Sequence, residues 1–546
     1  MSAASPTQQY LRLVRLSLRR HLVALASWLG GLLLLVAVTA PSYEATYPQL
    51  AERSILVDSL RANTATTLLY GPLPEPGTIG QLLAWETGTY VIVLGALMAI
   101  LLAVTLIRRP EDEGTLELVR STGVAPWIPV AAGLSVLIGQ CLALGAGTGA
   151  ILAIQAGQIV ELSVSGAIAF GLLVLAVSLT FALATVVCCQ LASEARTARS
   201  WGLLLLAAAF LLRAIPDATA TLDADGRAPV TMAHWLSPLG WAQIVAPYTD
   251  DRLAPLLVFA AVALTLLALG LYLATRREYR SGLLSRRRGS RARMRVGSPL
   301  AFALRRGLSS WLGWAVTVVG LAALFAGMST GVLDLINGSD ATAQIVRQML
   351  GAGAITSLYF RMTALLSGIL VGIYAVGTVL RIRADEREGL LETELSLGRR
   401  RDEPLLADVA TAALGSLALL AFAAAVSALT AQAQLGDAAQ LDQTAGYLLL
   451  QWPAALCLVG LSALIVGAAP RLSWLMWALV AVSGTLAWLG GLFNLPDWVL
   501  NLVVFQHVPD LPTDPTFWPL AVLVGIGLIG TLVAVPLIRR RDIHRA

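Results

Sequence analysis

The sequence predicts an all-α polytopic membrane protein: twelve transmembrane helices in two parallel six-helix repeats, with a short cytoplasmic helix in one loop of each. Three observations predict it. First, 57% of the 546 residues are hydrophobic, only 13% are charged, and the mean hydropathy is +0.75. That composition excludes a soluble globular domain. Second, a hydrocarbon core about 30 Å thick needs roughly 20 apolar residues per helical crossing. Twelve such runs occur, at about 22–40, 88–107, 127–154, 164–190, 200–216, 254–274, 311–331, 363–382, 406–431, 445–469, 472–492 and 517–538. Third, a sixteen-residue segment occurs twice, 275 positions apart, almost half the chain length.

The first run has a basic flank like that of a signal peptide. Its length, and Pro41 directly after the small-residue triplet Val38-Thr39-Ala40, favour an uncleaved anchor. Arg12, Arg15 and Arg19 precede it on one helical stripe, with Leu11, Val14 and Leu18 on another. This reads equally as a basic interfacial helix or as the ordinary positive flank of a span. A poorer version, 300–311, carries Arg305 and Arg306 in the second half.

Orientation follows from arginine, because the chain has no lysine and all 38 basic residues are Arg. With the N-terminus inside, 31 arginines fall on the cytoplasmic face. Only seven lie outside: Arg53, Arg61, Arg213, Arg227, Arg252, Arg347 and Arg361. The positive-inside rule therefore places both termini of the chain, which spans the lipid bilayer, in the cytoplasm.

The repeated segment reads RRPEDEGTLELVRSTG at 108–123 and RADEREGLLETELSLG at 383–398, with eight identical positions. Other marks recur in the same order. Trp201 and Trp474 open spans 5 and 11, Pro216-Asp217 and Pro496-Asp497 follow them, and Arg276-Arg277-Glu278 and Arg540-Arg541-Asp542 close spans 6 and 12. The expected organisation is a first half at 1–275, an Arg-rich disordered linker at 276–300, and a second half at 301–546. An even number of spans per half makes the repeats parallel, related by an axis along the membrane normal. The linker suits anionic lipid, not nucleic acid. The outer segments 41–86 and 332–361 read as loops or helical caps.

The residues also restrict mechanism. No cysteine pair or histidine cluster has metal-ligand spacing, so no metal and no catalytic residue are assigned. All 33 acidic residues fall in loops or at span ends, which disfavours a proton-coupled drug transporter. A P-loop needs Gly-x-x-x-x-Gly-Lys, and a chain without lysine cannot supply one. Transport therefore needs a separate engine. Glu113, Glu117 and Arg120 fall at i, i+4 and i+7, as on one helical face, and Glu388 and Glu392 repeat the acidic pair. Gly123 and Gly398 sit where C-terminal caps belong. Each loop is thus expected to hold a short helix presenting carboxylates and the leucines Leu116 and Leu391 to the cytosol. Alternatively, Glu117 or Glu392 braces its loop against the N-terminal helix, through Arg12 or Arg15.

The pattern Arg-x-x-Glu-x-Glu-Gly-x-Leu-Glu after the second span resembles the coupling segment of ABC type-2 exporter permeases. The whole chain is similar to the fused twelve-span permeases of actinobacterial antibiotic exporters, the tetronasin-like group. The 235–241 loop Trp-Leu-Ser-Pro-Leu-Gly-Trp and the Arg-Arg-Glu/Asp ends of spans 6 and 12 support this. The resemblance implies a non-enzymatic permease that moves hydrophobic or amphipathic compounds outward. Two copies of a separate ABC ATPase, which bind ATP and Mg, would dock on coupling segments containing Glu111, Glu113, Gly114, Leu116 and Glu117, and Glu386, Glu388, Gly389, Leu391 and Glu392. By the same resemblance, Tyr90, Met98, Trp201, Phe210, Met362, Tyr374, Trp474 and Trp477 would line the substrate path. The second copy departs from the first, with Leu390 and Thr393 where the first has Thr115 and Leu118. The runner-up function is a non-transporting membrane scaffold or sensor of an envelope-stress module.

Overall fold

The chain is an all-α polytopic membrane protein. The computed structural model describes residues 5–50, 53, 57, 58, 60, 61, 64–220, 227–279, 281–284, 298–330, 333, 355–396, 398–435, 439–489, 501–509, 511 and 516–541. Among these, eleven helices are long and apolar enough to cross a membrane. Helices are the expected solution, because a spanning segment in lipid must satisfy its backbone polar groups internally. The residues divide into two compact units, Met1–Ala292 and Arg293–Ala546.

Unit 1 contains α1 (Pro6–Thr46), α2 (Thr64–Tyr70), α3 (Ile79–Asp112), α4 (Thr115–Ser121), α5 (Trp127–Gln155), α6 (Val164–Leu191), α7 (Ala195–Thr219), α8 (Met232–Leu236), α9 (Trp241–Val245) and α10 (Pro255–Arg276). Helix α1 settles the alternative left open by its basic flank. It is one 41-residue helix, started by a Ser5–Gln8 capping box and continuous through Pro41. The basic stretch therefore extends the first span and is not a separate interfacial helix. Helix α6 packs at the centre of the unit, with Ala167, Phe170, Val174 and Ala182 fully buried. It approaches α5 closely, and a Cβ at Gly171 would lie 2.7 Å from Gly145 O. Small residues permit such contacts between membrane helices. Large apolar side chains on α10, such as Leu257 and Leu264, are instead exposed.

Unit 2 contains α11 (Pro299–Gly327), α12 (Ile355–Val379), α13 (Arg381–Arg387), α14 (Leu390–Leu395), α15 (Glu403–Leu435), α16 (Ala439–Leu449), α17 (Trp452–Ala468), α18 (Trp474–Leu489) and α19 (Trp518–Arg540). Helix α18 occupies the expected eleventh span, but its 16 described residues make it shorter than the others. The expected segment 332–361 falls largely outside the described residues, as does most of the linker. The described linker residues 281–284 are docked on unit 1. Leu283 N and Leu284 N donate to the carbonyls of Gln190 and Leu191 at 3.3 and 3.1 Å. The expectation of a disordered stretch is thus corrected for 281–284, because this arm pairs with the open carbonyls at the end of α6.

Candidate functional site

Each repeated segment folds as two helical stretches separated by a left-handed glycine. In unit 1, α3 ends at Asp112, Gly114 has φ +73°, and α4 begins at Thr115. In unit 2, α13 ends at Arg387, Gly389 has φ +72°, and α14 begins at Leu390. Gly123 and Gly398 both have φ +79°. The left-handed region is cheap only for glycine, so the glycine sets a break inside the motif. The reading of Glu113, Glu117 and Arg120 as one helical face is therefore corrected. Glu113 precedes the break, Glu117 follows it, and the helical phase restarts between them.

The Arg-x-x-Glu part of the motif is a buried clamp. Arg108 and Glu111 are each 1% exposed. Arg108 Nη1 lies 3.0 Å from Glu111 Oε2, and Arg277, just beyond α10, reaches the same oxygen at 2.7 Å. Arg108 Nη2 also donates to Ser193 O at 2.6 Å. Asp112 Oδ1 lies 3.4 Å from Arg108 Nε, giving two cations and two anions. Unit 2 repeats the arrangement. Glu386, 3% exposed, pairs with Arg383 and with Arg541, just beyond α19. Burial, followed by the nearby Arg383 charge, lowers the Arg541 pKa from its ordinary value. A second staple joins this arm to the loop before α15: Arg539 donates to both Asp402 oxygens at 2.9 and 2.8 Å. Those bonds hold the Asp402 carboxyl below the usual carboxylate range.

Among the predicted coupling residues, Glu111, Leu116, Glu386 and Leu391 face inward. The expectation that the leucines face the cytosol is corrected. Leu116 shares the wall of a cavity of about 130 Å³ with Leu13 of α1 and Val130 of α5. Leu391 packs in a cluster with Val379, Ile382 and Leu405. In both copies the leucine two positions after the glycine break turns into the unit, which removes its apolar surface from water. The exposed members are Glu113, Glu117, Glu388 and Glu392. Glu117 and Glu392 lie in the first turns of α4 and α14, where the positive end of the helix favours them. The tie to α1 runs through Arg20, 3.7 Å from Glu113. Arg120 places its guanidinium 4.7 Å from the centre of the Tyr279 ring. The sequence marks both partners of each clamp as repeated, but not that the chain ends of spans 6 and 12 fold back onto them.

The predicted path residues do not form one surface in either unit. Met98 is fully buried beside Gln140, and Tyr374 is buried with its hydroxyl 3.4 Å from Thr411 O. In this conformation both side chains pack against a neighbouring helix of their own unit. Trp474 and Trp477 are exposed, while Trp201 and Met362 are half-buried. Tyr90 hydrogen-bonds Tyr70 through its hydroxyl at 2.6 Å. Phe210 alone of the eight lines a cavity of about 430 Å³ within unit 1.

That cavity lies among α3, α6, α7 and the 227–252 segment, away from the clamp. A π-helical turn at Leu83–Thr87 opens α3 beside it, and Trp85 contributes to the wall. Behind the wall is a buried polar cluster that sequence reasoning missed. Asp217 Oδ1 accepts from His234 Nε2 at 2.9 Å and Gln243 Nε2 at 2.6 Å. On its other side, His234 Nδ1 lies 2.9 Å from Thr231 N. Arg213 Nη2 donates to the carbonyls of Leu68 and Leu69 at 3.0 and 2.6 Å. The Pro216-Asp217 and 235–241 sequence marks lie in this cluster, but their spacing gives no sign that they meet.

Residues 296–539 match the family model described as "Multidrug efflux system permease Rv1217c, C-terminal domain". Over 544 residues, 98% of this chain and 95% of the relative, the sequence is 29% identical to the multidrug efflux system permease protein Rv1217c of Mycobacterium tuberculosis (strain ATCC 25618 / H37Rv).

Proposed function

We propose that this chain is the membrane permease of an efflux system of the ABC type-2 kind, exporting hydrophobic or amphipathic compounds. A separately encoded ATPase supplies the energy and carries ATP and Mg. The observation that carries the reading is the duplicated segment: a buried Arg–Glu–Arg clamp fixes each copy while Glu117 or Glu392 stays exposed at its far side. A motion imposed on such a segment passes to the second span and to the end of the sixth span of its unit, because the clamp joins both. Full-length similarity to a protein named a multidrug efflux system permease supports the export role. In this reading two ATPase copies engage one permease, both termini are cytoplasmic, and the membrane is the bacterial inner membrane.

The test is charge reversal at both exposed glutamates. Glu117→Arg with Glu392→Arg should abolish co-purification with the cognate ABC ATPase of this proposal while leaving the permease folded in the membrane. Stranding charge at a desolvated interface costs about 2–5 kcal/mol, which corresponds to roughly thirty- to several-thousand-fold weaker docking. Unchanged binding and unchanged drug efflux in the double variant would remove the coupling assignment.

A further inference from the structure

We propose that one face of α1 holds an anionic phospholipid of the leaflet nearest the clamp, with its head group at Arg20 and an acyl chain along a groove shared with α3. Two cavities lie on that face. The first, about 130 Å³, is bounded by Ser17 and Arg20 of α1, Pro110 of α3, and Leu116 and Val119 of α4. The second, about 460 Å³, is bounded by Ala24, Trp28, Gly31 and Leu35 of α1 and by Leu94 of α3. Ser17, Arg20, Ala24, Trp28, Gly31 and Leu35 succeed one another at steps of three and four residues, which places both cavities on one side of the helix. A Cβ at Gly31 would meet no atom within 4 Å, so the second cavity is open space and not a packed seam.

Charge and depth together select the occupant. Arg20 precedes the apolar run 22–40 and Arg109 follows the run 88–107, so both guanidinium groups sit at the level of lipid head groups. Arg109 Nε donates to Glu113 Oε1 at 2.6 Å, whereas Arg20 approaches the same side chain only to 3.7 Å. Two cations thus share one carboxylate. Arg20 is the more weakly held, and its side chain is 56% exposed. A phosphodiester supplies the second anion, and its oxygens accept what the guanidinium donates. From Ala24 to Leu35 the groove runs about 16 Å at 1.5 Å per residue. That is close to half of a hydrocarbon core about 30 Å thick, the depth of one leaflet. An acyl chain hanging from a head group at Arg20 therefore fills the groove along its length. Leu116 and Val119 close the first cavity, so the lipid seats against the helix that carries Glu117. The site goes beyond the export reading and needs no ATPase for its detection.

Photo-crosslinking of the purified full chain in phosphatidylcholine nanodiscs tests it. The probes are phosphatidylglycerol and phosphatidylcholine, each with a diazirine on one acyl chain and present at the same trace content. Labelling of peptides covering 24–35 is normalised to α10. Phosphatidylglycerol should label them about fivefold more than phosphatidylcholine, the equivalent of the roughly 1 kcal/mol that one basic residue contributes at an anionic surface. Arg20→Gln with Arg109→Gln, both exposed positions, should bring the two probes to equal labelling. Gly31→Leu, which enters the open groove, should remove most labelling by either probe. Gly30→Leu, equally open but outside the groove, should remove none. Equal labelling by the two probes in the unaltered chain, or the same phosphatidylglycerol preference in the arginine double variant, overturns the proposal. So does labelling of 24–35 no higher than that of α10, which would mean that protein covers the groove. Such a failure leaves ATPase docking untouched, because the charge-reversal experiment reads capture of the ATPase and not lipid contact.

Discussion

The two repeated segments share their clamp and their glycine breaks but differ in how they are tied to the first helix of their unit. In unit 1 the tie is Arg20 to Glu113, with side chains 56% and 37% exposed. In unit 2 it is Arg306 of α11, which reaches Asp385 on the segment and Asp408 on α15, the latter 1% exposed. The position 275 residues before Asp385 is Pro110, and that before Asp408 is Gly133. At the place of Asp408, unit 1 therefore has no charge but a close approach of α5 to α3: a Cβ at Gly133 would lie 3.0 Å from Leu106 O. The difference separates what the motif requires, a clamp and a break, from what each half is free to vary.

The largest effect should come from the clamp. Removing one partner of a buried pair typically costs about 3–5 kcal/mol, because it strands the remaining charge. Glu386→Gln leaves Arg383 and Arg541 facing each other, and at the place of Asp112 unit 2 has Arg387. Glu111→Gln leaves Asp112 beside Arg108. Both variants should lower thermal stability in detergent, followed by loss of the monodisperse peak, and Glu386→Gln should lower it more. Equal losses would show that Asp112 does not share the charge.

Next is the tie in unit 2. Hydrogen bonds to charged groups contribute about 1.5–3 kcal/mol, and Arg306 holds two carboxylates at once. Arg306→Gln should destabilise within that range. Asp408→Asn should fall below it, because the amide carbonyl still accepts from the guanidinium. If Asp408→Asn is the more harmful of the two, the buried carboxylate serves a partner other than Arg306.

The glycine breaks should cost less and cost the same in both units. A Cβ at Gly114 would meet no atom within 4 Å, so the penalty there is backbone strain alone, and Gly389 has nearly the same φ. Gly114→Ala and Gly389→Ala should each destabilise by about 1–2 kcal/mol, and asparagine at either position by less. Unequal penalties would mean that the two segments do not share one backbone path.

Most of the fold was legible because a spanning helix announces itself by an apolar run of fixed length. The site was legible in composition but not in direction. Arg108, Glu111, Arg277 and their mates were all marked by duplication, yet their burial depends on an arm returning from a span some 165 residues away. Helical periodicity misled at Glu113 and Leu116 because one left-handed residue resets the phase. The Asp217–His234–Gln243 cluster carried no periodic signal, since its members come from a helix end and two short loop helices. The basic flank of α1 was ambiguous for a different reason: charge pattern reports a helix face, not whether that helix continues into the next one.

The smallest effect should be at the tie in unit 1. Arg20 and Glu113 are 3.7 Å apart and both largely solvated. Exposed pairs of this kind contribute about 0–1 kcal/mol and are screened by salt. Glu113 also bonds Arg109 at 2.6 Å, so it keeps a partner when Arg20 is removed. Arg20→Gln should therefore shift the unfolding midpoint little, and high salt should erase even that shift. Arg306→Gln should keep most of its effect in the same salt, because Asp408 is shielded from solvent. A salt-resistant loss in Arg20→Gln as large as that in Arg306→Gln would make the two ties energetically equivalent. The contrast between a packed and a charged attachment would then fail, leaving the clamp alone to hold either segment in place.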